Sequence, residues 1–148
     1  MPRIKIASLA VATLAAAGLV PLSPIPARAT LNWDYQCTAN DEHVGLDLTV
    51  VFITGTVGPI SIVNVGGKLT VKDPAGSITF LKDDVEQFWT MDDEFRLSAS
   101  QLSPEEGQLT RLQIETSCKE RVCTGIYVLG YRGKPVSGPI SCKQREPG

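Results

Sequence analysis

The chain predicts an all-β fold: a small antiparallel β-barrel closed by a disulfide between its first and last strands, with a two-sheet β-sandwich as the alternative. Three observations carry this. After residue 29 no useful length of chain shows helical periodicity, and apolar–polar alternation of period two recurs instead. Turn residues punctuate the chain at intervals of roughly 8–12 residues, marking about nine short strands. The four cysteines, Cys37, Cys118, Cys123 and Cys142, form an even set in a short chain, as a disulfide framework does.

The strands follow in order. Leu31, Trp33, Tyr35 and Cys37 share one face of the first, which makes Trp33 a core residue. Leu46, Leu48, Val50 and Phe52 alternate in the second. Ile60–Val65 and Lys68–Lys72 flank Gly66-Gly67, which reads as a two-residue hairpin because glycine tolerates the positive φ of a primed turn. That register pairs Ile62 with Val71. Asp73-Pro74-Ala75-Gly76 has turn composition, and Ser77–Leu81 follows as a strand. Alternation fails over Val85–Met91, where Phe88 and Trp89 are adjacent, so one of the two rings points away from the core. Phe95, Leu97 and Ala99 resume it. Ser103–Gly107 reads as one capped helical turn. Leu112, Ile114 and Thr116 alternate against Arg111, Gln113 and Glu115, and Gly125–Tyr131 with Val136–Cys142 form the last pair.

Residues 1–29 have the three regions of a cleavable signal peptide: Arg3 and Lys5, the apolar run Ile6–Val20, and a proline-broken segment ending Ala27-Arg28-Ala29. The run covers only ~22 Å of a ~30 Å hydrocarbon core, and Pro21, Pro24 and Pro26 stop its extension. The expected product is one domain, residues 30–148, periplasmic or secreted and without a stable membrane anchor. It retains eleven basic residues against sixteen acidic ones, a net charge of −5. Such a chain is a poor ligand for nucleic acid or anionic lipid. Asp83–Glu106 is acid-rich and Lys119–Arg145 base-rich. These are two solvated faces or, on the sharper reading, a dipolar surface that steers a charged partner.

Cys118 and Cys123 flank a four-residue connection between two strands and should face each other across its base, within disulfide reach. That leaves Cys37 to Cys142, which makes the first and last strands neighbours. A zinc site is disfavoured because only one close cysteine pair exists.

No catalytic or cofactor motif stands out. His43 is the sole histidine and sits in a polar connection, which excludes a histidine-rich zinc centre. A cryptic small hydrolase would need a serine and a carboxylate beside it. Asp83, Asp84, Glu86, Asp92, Asp93 and Glu94 offer hard oxygens for calcium but lack the EF-hand spacing. If Trp89 is the exposed ring, it stands beside an acidic cluster and is a partner anchor.

Tyr35-x-Cys37 on the first strand, with a partner cysteine near the C-terminus, resembles the layout of the bacterial periplasmic C-type lysozyme inhibitors, which are small exported β-barrels. Ser98–Leu102 stands where that family's inhibitory loop falls, without its glycine and tyrosine. The resemblance implies a cationic partner such as lysozyme. The expected function is therefore an exported, non-enzymatic binding or inhibitory module without a cofactor. Its protein or glycan partner would be met through Trp89, Asp92, Asp93 and Glu94. The alternatives are the cryptic hydrolase and a structural envelope protein with no discrete ligand.

Overall fold

The computed structural model describes residues 32–53, 60–91, 93–103 and 107–145. The leader, residues 1–29, lies outside them. Nine strands follow one another: β1 (Asn32–Asn40), β2 (Val44–Ile53), β3 (Ser61–Val71), β4 (Gly76–Leu81), β5 (Val85–Met91), β6 (Glu94–Leu102), β7 (Leu109–Lys119), β8 (Val122–Tyr131) and β9 (Lys134–Arg145). They form one antiparallel sheet in the order β4-β3-β2-β1-β9-β8-β7-β6-β5, curled into a nearly closed barrel.

Every neighbour in this sheet is also a neighbour in the chain except β1 and β9, so the fold is a meander joined first strand to last. If the chain reversed at every connection, nine strands would bring β1 and β9 together in parallel. They pair antiparallel because the chain does not reverse between β4 and β5. The 3-10 turn Lys82–Asp84 only bends it. Parallel neighbours need a crossover of a dozen or more residues, so a three-residue link leaves β4 and β5 without mutual pairing. They are two halves of one kinked stave, β4 bound to β3 and β5 to β6. Gln101 Nε2 donates to the Thr79 carbonyl at 3.1 Å, tying β6 to β4 beyond the start of β5. The barrel thus has eight staves, a number whose interior side chains can fill.

The alternating apolar residues do fill it. Leu48, Leu69, Phe80, Phe95, Leu112 and Tyr127 are fully buried. Each such side chain contributes ~1.5–3 kcal/mol relative to exposure. Tyr35, Phe52, Phe88 and Phe95 form a string of rings with centroids 4.5–5.8 Å apart. Trp33 packs partly buried beside them. Outward positions such as Asp47, Lys68, Gln113, Glu115 and Lys143 are polar and exposed, the reverse of a lipid-facing barrel. At the opposite end of the barrel Asp41 works as a plug. Its Oδ1 accepts from the His43 and Val44 amides at 2.8 and 2.9 Å, and its Oδ2 accepts from the Tyr127 hydroxyl at 2.7 Å. Burial pushes the Asp41 carboxyl up, but the Tyr127 and amide hydrogen bonds outweigh it and leave it lowered.

Cys37 is bridged to Cys142 and Cys118 to Cys123, as expected. Such bridges persist in an oxidising compartment. Among the described residues no helix is long and apolar enough to cross a membrane.

Two local expectations are corrected. Gly66 and Gly67 are not a hairpin; β3 runs straight through them. They pair with Thr49 and Leu48 on one side and Leu81 and Phe80 on the other, so Ile62 faces Phe52 rather than Val71. Close approach explains one glycine: a Cβ on Gly67 would stand 2.5 Å from Leu48 Cδ1 and 2.8 Å from the Asp47 carbonyl, whereas one on Gly66 meets nothing. Asp73-Pro74 does form a turn, through a cis peptide bond. The expected helical turn at Ser103–Gly107 falls largely outside the described residues.

Candidate functional site

The site begins with a slip in register. Val85 faces Ala99 but Gln87 faces Ser98, which leaves Glu86 as the extra residue of a β-bulge. A bulge re-aims its side chain, and this one lays the Glu86 carboxylate over the outer face of β6. Ser100 Oγ donates to it at 2.6 Å and Ser98 Oγ at 3.2 Å, and Arg111 stands 3.8 Å away. The Ser100 hydrogen bond holds the Glu86 carboxyl below its ordinary value; dehydration opposes it, and Arg111 and Ser98 add to the lowering.

The bulge also resets alternation. Phe88 turns inward against Phe52 and Phe95, and Trp89 turns outward with half its surface exposed. Trp89 faces Arg96, and the same row continues through Glu115 to Ile126, itself exposed. Arg96 pairs with Glu94 at 3.0 Å. Trp89, Gln87, Ser98, Gln113 and Glu115 line a groove of about 740 Å³ on the outer face of β5–β7. A second groove of about 500 Å³ lies between β3 and β5, lined by Ile60, Ile62, Val85 and Phe88 among others. There, among the described strands, the edges of Ser61–Val65 and of β5 have no pairing partner.

Of the residues expected at the site, Trp89 and Glu94 border the larger groove. Asp93 occupies the β5–β6 turn in the left-handed region (φ 63°), and its carbonyl accepts from the Cys118 amide at 2.6 Å. Asp92 lies outside the described residues. The acid-rich segment is partly engaged: besides Glu86 and Glu94, Asp84 Oδ2 accepts from the Leu81 amide at 2.7 Å. The base-rich segment is no single face, because the β7–β8 turn with Arg121 and the β8–β9 turn with Arg132 cap opposite ends of the barrel.

The sequence marks Glu86 only as a candidate calcium ligand, and it does not single out Arg96, Gln113 or Glu115 as site residues. The polar alternation of Arg111, Gln113 and Glu115 is visible, but nothing in it says that β7 lies two strands from Trp89. His43 is part-exposed with Glu42 3.4 Å away, and no serine hydroxyl bonds to it among the described residues. No three histidine, cysteine or carboxylate side chains converge as metal ligands there either.

Fold and site together define a disulfide-stapled meander barrel with an outer-face groove beside one half-exposed tryptophan. The chain has no match among known family models, curated proteins or solved structures. Ser98–Leu102, which stands where the inhibitory loop of the C-type lysozyme inhibitors falls, is the C-terminal part of strand β6, and its serines hold Glu86. No inhibitor residues transfer.

Proposed function

We propose that the protein is an exported, non-enzymatic binding module whose working surface is the outer face of β5–β7 and whose partner is a cationic protein. The observation that carries this is Trp89, a large ring held half-exposed on a paired strand beside a groove. Such rings anchor interfaces because they bury much area at little entropic cost. Glu86, Glu94 and Glu115 against Arg96 give the groove an acidic balance, which favours a basic partner and fast, salt-sensitive encounter. Export rests on the leader and fits both bridges.

The test measures association with a panel of cationic proteins, a lysozyme included, across ionic strength. Trp89→Ala should raise the dissociation rate by roughly 30-fold, about 2 kcal/mol. Glu94→Gln with Glu115→Gln should slow association instead. Binding unmoved by salt and by all three changes would defeat the reading.

A further inference from the structure

All four cysteines stand in one lateral row. Cys37 of β1 faces Cys142 of β9, Cys142 faces Cys123 of β8 on its other side, and Cys123 faces Cys118 of β7. Residues in register on neighbouring strands project to the same face of a sheet. Here that face is the barrel interior: Cys37 and Cys142 are 0 % exposed and Cys123 is 1 %. Cys118, at the β7 end of the row, is only partly buried. The two bridges take the outer pairs of the row. The middle pair, Cys123 and Cys142, also faces across neighbouring strands, as a hydrogen-bonded pair, whereas the two bridged pairs are of the closer, non-hydrogen-bonded kind. Facing antiparallel residues have Cα atoms ~4.5–5.5 Å apart, inside disulfide range.

We propose that this row is a disulfide relay, through which a thiol acting at the partly exposed Cys118 end of the Cys118–Cys123 bridge moves the buried bond from Cys37–Cys142 to Cys123–Cys142. In the first step an external thiolate, from a small thiol or a thiol oxidoreductase, attacks Cys118 Sγ. A mixed disulfide forms on Cys118, the Cys118–Cys123 bond breaks, and Cys123 departs as a thiolate. In the second step Cys123 attacks Cys142 Sγ. The Cys123–Cys142 bond forms, the Cys37–Cys142 bond breaks, and Cys37 leaves as a thiolate that takes up a proton. This second step is an isomerisation and consumes no oxidant or reductant. The order of the row sets attacking Cys123 and leaving Cys37 on opposite sides of Cys142, as displacement at sulfur requires.

The exchange moves the staple from the weaker seam to the stronger one. β1 and β9 share five register pairs, Asp34↔Arg145 to Thr38↔Ser141, whereas β8 and β9 share ten. A redox event at an accessible hairpin would thereby loosen the strand pair that closes the meander.

Two single variants that lose the same bridge separate this from ordinary reduction. In Cys118→Ser the free Cys123 faces Cys142. In Cys123→Ser the free Cys118 lies two strand spacings, ~9.5 Å, from Cys142 and cannot reach it. Each protein is equilibrated at mildly alkaline pH, quenched with acid, alkylated in denaturant and mapped. Cys118→Ser should carry label on both Cys37 and Cys123 and yield a Cys123–Cys142 peptide, with Cys37 labelled about tenfold or more above its level in Cys123→Ser. Label on Cys123 alone, or equal Cys37 label in both variants, would overturn the relay. Should either variant fail to fold, the unaltered protein treated with substoichiometric glutathione decides. A Cys123–Cys142 peptide appearing while near-ultraviolet circular dichroism stays native supports the relay. Mixed disulfide on Cys118 without that peptide refutes it.

Discussion

The side of the barrel built from β2, β1, β9, β8 and β7 and the side built from β3, β4, β5 and β6 enclose one core by opposite means. In the first, register runs unbroken and both disulfides lie across it. In the second, the stave kinks at Lys82–Asp84, β5 bulges at Glu86, and two strand edges stay unpaired. Trp89, the smaller groove and most of the larger one, which reaches onto β7, belong to this irregular half. Continuous pairing makes a smooth wall, whereas concavity and re-aimed side chains require pairing to fail somewhere. The covalent staples hold the regular half, so the irregular half can carry surface features without the closing strands parting.

The comparison breaks most visibly at the staples. Replacing Cys37 and Cys142 together by alanine should cost ~4–5 kcal/mol, because that bridge spans 105 residues, and replacing Cys118 and Cys123 about 2, because theirs spans 5. Urea unfolding of the two variants measures the difference. Equal losses would mean that residual structure, rather than loop closure, governs the unfolded chain.

Within β3, Gly67→Ala should destabilise by about 1–3 kcal/mol, since its Cβ meets backbone as well as the Leu48 side chain. Gly66→Ala has open space and should be neutral or stabilising by up to ~1 kcal/mol. A hairpin at these residues would make both changes costly, so thermal unfolding of the pair tests the continuous strand.

At the Asp41 end, Tyr127→Phe should cost about 1–2 kcal/mol at neutral pH. The folded Asp41 carboxyl titrates below its ordinary value of 3.8, so its contribution is complete above that value and is lost as pH falls through the lowered one. The gap between Tyr127→Phe and the unaltered protein should therefore narrow below pH ~4. A gap independent of pH would mean that the hydroxyl acts without the carboxylate.

The smallest effect belongs to the irregular half. Glu86→Gln should leave the unfolding midpoint unmoved, because that carboxylate is exposed, yet alter binding at the Trp89 groove it borders. A large fall in stability would show the bulge to be structural.

Alternation by itself determined much of this protein. It marks the strands, and it assigns Tyr35, Cys37, Leu48 and Phe52 to the core. Its failure at Phe88-Trp89 announces that one ring faces out. The four-residue spacing of Cys118 and Cys123 identifies their bridge and, by elimination, the other. Which ring is exposed, that residues 61–71 are one strand, that β4 and β5 share a stave, and that Glu86, Arg96 and Glu115 line one groove with Trp89 were decided only in three dimensions. The cysteine row is of the same kind, since nothing in the spacing of Cys123 and Cys142 makes them neighbours. A period of two specifies the face a side chain takes. The residue beside it on the next strand depends on backbone hydrogen bonds between distant segments, on bulges and on where the chain declines to turn back.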